Sequence, residues 1–506
     1  MKKPAGLLTA IGIGIGSMVG SGWLFSAYYA AKFIGPASFF SWFIGAGISL
    51  ILALLLAEIA SMFDERALFS RLVTISHENP DLGFIIALSG WLCLVLIIPT
   101  EAAATVRYLS TMIPSMTDSL ITQEQHTVLG SACIILLVII YSLLNYWGMH
   151  LLAKASNALA IIKVVVPVLT AVILMCSSFH PSNFVSQGFA PYGIKPIFSG
   201  VVVCGIFYTF YGFSLVAMFG RELENPQKSI PRALILSVLI CFVIYCLLQA
   251  AFIGSMPPSM ILQGWSNLHF TSPFVQLLML VDLHVLGLWT MVLYFDATVS
   301  PSGAGMICLG SAARIVTGMA EDHQLPKFFN KIHPLYQISR QSLIITMLVC
   351  CTVLFIYKDW RELMILDSVF QLITCLAIPI AFTRLRQRKA HLVRVYRVQW
   401  GRALSFVMFL ILSYFLTQVT LKSLLISLVL YVIFFTLYIL SYYRAKMDHV
   451  LKACLSVWSI FSYFLLIILF AYLDRVEIIH KEVLIGVFFV SMSLHFYFLV
   501  NQKSYQ

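Results

Sequence analysis

Charge is what this chain has least of. Asp, Glu, Lys and Arg make up 10% of its 506 residues, against 60% hydrophobic residues and a mean hydropathy of +0.93. Soluble domains carry about 25% charged residues, so the composition leaves too little polar surface for a water-soluble fold. Segments of alternating apolar and polar residues are also missing, which argues against a membrane β-barrel. None of the eleven cysteines forms a C-x-x-C pair, and nearly all lie inside apolar runs. They read as small packing residues, not as a disulfide framework or metal site. No stretch has the composition of a soluble domain or a low-complexity linker.

Apolar runs of about 20 residues recur instead, each long enough to cross a hydrocarbon layer of about 30 Å as a helix. Fourteen spans are expected, near 7–30, 36–62, 83–112, 127–146, 155–176, 198–220, 230–254, 276–313, 339–357, 364–383, 401–420, 422–443, 453–473 and 483–500. The eighth is expected to continue as a helix beyond the membrane. Lys2 and Lys3 ahead of an apolar run resemble a secretory leader. The run is studded with glycines, continues to about Ala30 and lacks a small-residue cleavage site, so it reads as a retained first helix.

With the N-terminus inside, 23 of the 32 Lys and Arg fall in inner segments, eight in outer ones, and Lys163 alone within a span. That bias is the positive-inside pattern. The net charge of +11 therefore marks orientation, not a nucleic-acid partner. It places both termini in the cytoplasm of a multi-pass protein of the cell (inner) membrane.

The first span reads IGIGIGSMVGSGWLF, with Gly12, Gly14, Gly16, Gly20 and Gly22 in eleven residues and Ser17 and Ser21 between them. Tight helix packing explains part of this, since Gly16 and Gly20 form a GxxxG pair. Local unwinding is the sharper reading, because glycine costs about 1 kcal/mol per residue against alanine in a helix. Unwound backbone survives at membrane depth only where it lines protein or a water-filled cavity. Amides at a half-helix N-terminus can then hold a carboxylate, and freed carbonyls an ammonium group or cation. A second break is expected in the sixth span, GIFYTFYGFSLVAMFG, at Gly212 amid Tyr208, Thr209, Phe210, Tyr211, Phe213 and Ser214. Gly20 and Gly212 are 192 residues apart, and the third and eighth spans are offset by about as much. This supports a five-plus-five repeat over spans one to ten, as in transporters built from inverted repeats.

GSMVGSGWLF, GPASFFSWFIGAGISLILALLLAEIASMF, ELENPQKSIPRA and SAARIVTGMAEDHQLPKFF resemble the amino acid–polyamine–organocation (APC) superfamily of permeases. GSGWLFSAYYAAKFIGPA, IIPTEAAATVRYLS, LLNYWGMHLLAKASNALAIIKVVVPVLT and YFDATVSPSGAG are similar to a subgroup of bacterial aspartate–proton symporters. The resemblance implies an all-α polytopic fold of the LeuT type. Residues 1–400 would be a transport core with inverted repeats at about 7–176 and 198–383, and 401–506 four peripheral helices. It implies that Ser17, Met18, Val19, Gly20, Ser21 and Gly22 meet a substrate α-carboxylate. Phe207, Tyr208, Thr209, Phe210 and Gly212 would meet its amino group and side chain. Two departures stand out: Ser214 where many relatives carry glutamate, and FDERALFSR after span two in place of an FP-x-x-GG form.

Ionisable groups at membrane depth are costly and need a role. Lys163 reads either as a brace for the carbonyls of span one or as a proton carrier; at the matching place sodium-coupled relatives bind sodium, so the resemblance implies proton coupling without it. Glu101, two residues after Pro99, and Asp296, beside Ser300, Pro301, Ser302 and Gly303, are further proton-coupling candidates. Arg107, near the outer end of its span, is expected to snorkel to the interface. Asp282 and His284 are expected to be solvated, Glu58, Glu222 and Glu224 to form gate or loop salt bridges, and His495 to pack in the core.

The expected function is a secondary transporter: a proton-coupled symporter for an acidic amino acid such as aspartate. A neutral substrate and obligate exchange remain alternatives. A membrane enzyme would need a motif such as metal-ligand spacing beside Glu101 and Asp296, and a sensor would usually carry an output domain; neither feature is found. The expected partners are an amino acid, protons, lipid and, through the C-terminal helices, a second copy; no cofactor, metal or nucleic acid is expected.

Overall fold

The computed structural model describes residues 6–63, 68–122, 125–147, 149–281, 286–334, 338–442, 447–477 and 480–502. Lys2, Lys3, Asp282, His284, the whole DERA segment of FDERALFSR and the side chain of Glu222 lie outside the described set.

The first expected span is two helices, α1 (Leu7–Met18) and α2 (Gly22–Ile34). The Val19 amide still donates to Ile15 O, but the Gly20 amide turns back to Met18 O at 3.0 Å, and the helical ladder stops. A 3-10 turn, Gly35–Ala37, joins α2 to α3 (Ser38–Ala60). Gly35 has φ 77°, a left-handed conformation that favours glycine. After α4 (Leu68–His77), α5 (Pro80–Met112) starts on an Asn79 cap whose Oδ1 accepts the Leu82 amide, with Pro80 in the first turn. Then come α6 (Val128–Tyr146) and α7 (Met149–Ser177).

The sixth span breaks between α8 (Lys195–Val203) and α9 (Ile206–Phe210), bending by 51° where this segment resumes. A 3-10 stretch, Tyr211–Glu222, follows. The remainder is α10 (Pro226–Gly254), α11 (Leu286–Glu321), α12 (Arg340–Ile356), α13 (Trp360–Arg388), α14 (Gly401–Thr417), α15 (Leu421–Tyr442), α16 (Met447–Val476) and α17 (Lys481–Asn501). At 36 residues, α11 overshoots a bilayer, as expected of the eighth span.

The expected spans fall on these helices or broken pairs except the eighth, which begins on a separate short helix, Pro273–Leu280, before α11. By length and apolarity ten described helical runs qualify to cross a membrane, α2 and α3 forming one run, or eleven with the bent pair. The shorter apolar helices are α1, cut off by its break, and α12 and α14, of 17 residues each.

Helices α5, α11 and α13 form the centre. The whole apolar window of α5 is enclosed by protein, against 33% of that of α6. The C-terminal helices are fastened to the α4–α5 corner. Tyr438 stacks on Phe84 and donates to Asp81 at 2.8 Å, His77 Nε2 donates to Leu499 O at 3.0 Å, and Asn79 donates to Ser456 O. Rows of exposed Val429, Val432, Ile433 and Leu437 on α15 suit contact with lipid. Glu58, at the end of α3, is buried and takes two hydrogen bonds from Arg386 (2.9 and 2.6 Å) and one from the Val398 amide (2.7 Å). Arg394 stands 3.2 Å away, so Glu58 is the salt-bridge partner expected of it. Glu224 is exposed. His495 is buried between Ser462 and Ser491, a packed histidine.

Candidate functional site

Residues 19–21, where the backbone leaves its helix, are enclosed by α5, α10, α13 and the sixth span. Glu101 of α5 reaches into the break. Its carboxylate accepts the Ser21 amide at 2.6 Å, the Ser21 hydroxyl at 2.9 Å and the Tyr208 hydroxyl at 2.6 Å. The close approach requires glycine at position 20, where a Cβ would stand 2.5 Å from Glu101 Oε2. A carboxylate therefore already occupies the N-terminus of α2, whose unpaired amides and dipole favour negative charge. Trp360 of α13 donates to Ser21 Oγ at 3.1 Å and stacks on Tyr29. Phe25, 4.8 Å from Trp360, and Tyr208 complete an aromatic cover.

The freed carbonyls are matched by side chains from other helices. Lys163 Nζ donates to Gly16 O at 2.5 Å and lies against Gly303 of α11. Tyr245 of α10 donates to Met18 O at 2.9 Å and reaches Thr209 O at 3.3 Å. Gln371 of α13 donates to Phe207 O at 2.9 Å. Such groups cannot stay unpaired away from water, and here they tie the two broken helices to three others.

The second break lies earlier than expected. It falls at Cys204 and Gly205, where φ is 74°, and not at Gly212. Gly212 sits in the 3-10 stretch and serves close approach: a Cβ there would stand 2.5 Å from Ser17 C and 2.6 Å from Met18 N. Ser17 Oγ donates to Gly212 O at 2.9 Å, so spans one and six touch through backbone. Val19, Phe207, Tyr208, Thr209 and Phe210 are buried in the same region, and Gly22 packs on the Thr209 methyl. Ser214 donates to Tyr211 O.

Among the coupling candidates, Glu101 and Lys163 flank the first break on its two sides. Asp296 lies on α11, where it accepts the Ser300 hydroxyl at 2.8 Å and is within electrostatic reach of Lys163. Arg107 does not snorkel. It is 2% exposed, with Nε donating to Thr271 O at 3.1 Å, a terminal nitrogen 3.7 Å from Asp359, and the Phe25 ring beneath it. Turning inward gains these partners, which an interfacial position would not supply.

Sequence reasoning missed Tyr245, Trp360 and Gln371. Trp360 falls outside the expected tenth span, which begins at 364 whereas the helix begins at Trp360. Tyr245 and Gln371 were legible only as polar groups in apolar runs.

The amino acid permease family profile matches residues 6–423. The chain is 35% identical to a glutamate/serine transporter, AimA, of Bacillus subtilis, over 100% of this chain and 95% of that protein. It is 28% identical to an aspartate-proton symporter of the same organism, over 93% of this chain and 90% of that one. A branched-chain amino acid permease, BcaP, is 24% identical over 87% of the chain and 93% of its own length. The helical architecture with two broken spans is the LeuT-like fold of such permeases. The chain belongs to the amino acid permease family of the APC superfamily: it is a membrane transporter of amino acids, not an enzyme.

Proposed function

We propose that this transporter is a proton-coupled symporter for an acidic amino acid, with Glu101 carrying the coupled proton. The observation that carries this reading is the Glu101 carboxylate on the Ser21 amide, where a substrate α-carboxylate would have to bind. Two carboxylates cannot share one amide and one helix terminus without strong repulsion. A protonated Glu101 gives up that place, so proton and substrate enter together. Ser17 to Gly22 then meet the α-carboxylate, and Phe207 to Phe210 with Gly212 meet the amino group and side chain. Lys163 holds Gly16 O, braces span one and supplies the positive charge beside the break. Asp296, held by Ser300, is a weaker candidate for the relay.

The names of two relatives, a glutamate/serine transporter and an aspartate-proton symporter, support an acidic substrate. Serine in the first of these names favours a second reading, in which a neutral amino acid shares the site. Residues 1–400 form the transport core in this proposal, 401–506 the peripheral helices, and both termini face the cytoplasm of the cell membrane.

The test is uptake of labelled aspartate, glutamate and serine into proteoliposomes under an inward proton gradient without sodium. Accumulation of an acidic amino acid is expected, and a strict sodium requirement overturns the coupling. Glu101→Gln is expected to keep exchange but lose dependence on the proton gradient. Gradient-driven uptake by Glu101→Gln equal to wild type removes Glu101 from the role.

A further inference from the structure

The face of α13 turned towards the broken spans carries one carboxyl that the site just described does not use. Trp360, Met364, Asp367 and Gln371 recur at helical spacing along that face. Trp360 bonds Ser21, Met364 lies against Gly205 at the second break, and Gln371 bonds Phe207 O. Asp367 lies between the last two. It is fully buried, and neither carboxyl oxygen receives an N–H or O–H hydrogen bond from the described residues; the Cys93 thiol, a weak donor, is the one group beside it that could give one.

Its titratable neighbours are Cys93 and Glu101 of α5, Tyr208 and Tyr211 of the sixth span, Cys308 of α11 and Cys375 on α13 itself. No cation is among them. An ionised carboxylate with no cation and at most one weak thiol donor costs several kcal/mol away from water, so the side chain stands here as a neutral acid. Cys93 is eight residues before Glu101 on α5, about 12 Å along the helix. Asp367 thus lies on the side of Glu101 that leads to the Glu58–Arg386 end of the bundle.

We propose that Asp367 is a second proton-binding site of the transport cycle, loaded while its carboxyl is shut away from water and emptied when the bundle opens towards the Glu58–Arg386 end. On opening, water reaches the carboxyl, its O–H bond breaks, the proton leaves on water and a hydrated carboxylate remains. Closing then requires a new proton, because the dry interior gives the ionised form no cation and no stronger donor than a thiol. The inference rests on the proton-coupled reading above but assigns a different residue and a further proton.

Asp367→Asn keeps the shape and removes the titratable proton. Each coupled proton raises accumulation about tenfold per unit of pH gradient, since one pH unit is about 1.4 kcal/mol. In proteoliposomes the variant is expected to exchange internal for external substrate as wild type does, while its accumulation falls about tenfold per pH unit applied. A pH-sensitive dye trapped inside should register fewer protons per substrate. Gradient-driven accumulation and proton flux equal to wild type overturn the proposal. So does loss of exchange in both Asp367→Asn and Asp367→Glu, which makes the residue structural or a substrate ligand. Restoration of accumulation by sodium alone also overturns it, by assigning the carboxyl to a metal cation. Wild-type protein that never accumulates substrate under a proton gradient defeats the proton-coupled reading and this proposal with it; a coupled wild type with an indifferent Asp367→Asn defeats this proposal alone.

Discussion

Adding a single methyl group at Gly212 tests the contact that joins the two broken spans. The Cβ of Gly212→Ala would meet Ser17 C at 2.5 Å, Met18 N at 2.6 Å and Ser17 O at 2.7 Å. These are backbone atoms, so no side-chain rotation relieves the overlap, and the spans must separate by about 1 Å. Overpacking of this kind costs about 1–3 kcal/mol. The 2.9 Å bond from Ser17 Oγ to Gly212 O stretches with it, adding about 1 kcal/mol. Gly47→Ala is the control, because nothing lies within 4 Å of a Cβ there and alanine is the better helix former by about 1 kcal/mol. Unfolding in detergent can be followed with a thiol-reactive dye, since Cys93, Cys204, Cys241, Cys308, Cys350 and Cys375 are buried. Gly212→Ala is expected to unfold at clearly lower temperature and to transport poorly, while Gly47→Ala matches or exceeds wild type. A Gly212→Ala protein as stable and active as wild type would refute the backbone contact; an equal loss in Gly47→Ala would refute the reasoning from space.

Lys163→Met removes the donor to Gly16 O and the positive charge at the break, and gradient-driven uptake should vanish; unchanged accumulation takes Lys163 out of the mechanism. His77, in α4 outside the membrane-spanning helices, is held neutral: burial first, then the Arg384 guanidinium, lowers its pKa from 6.5 to about 3. The unfolded chain therefore binds a proton that the folded one does not, and stability falls as the pH drops from about 6.5 towards 3, by about 1.4 kcal/mol per unit. His77→Gln should flatten that part of a melting-temperature profile against pH, and an unaltered slope would show that other groups set it.

Composition alone led to a polytopic helical protein, because lipid offers no hydrogen bonds and long apolar runs must satisfy their backbone as helices. Glycine density likewise marked the first break, since the penalty for helical glycine is local and additive. Lys163 and Glu101 stood out for an equally local reason, as charges within apolar runs. The second break was legible only as a region: Gly212 looked like the weak point, but the chain turns at Gly205, and Gly212 answers to the backbone of Ser17 across 195 residues. Arg107 had the sequence of a snorkelling residue. Helix rotation and the placement of Thr271, Asp359 and Phe25 turned it inward. Tertiary structure also decided that the carboxylate at Ser21 belongs to Glu101, and that Asp367 is shut in with no cation and no N–H or O–H donor among the described residues. Sequence periodicity specifies which residues share a helix face; what that face meets depends on helices far away in the chain, and only their packing fixes it.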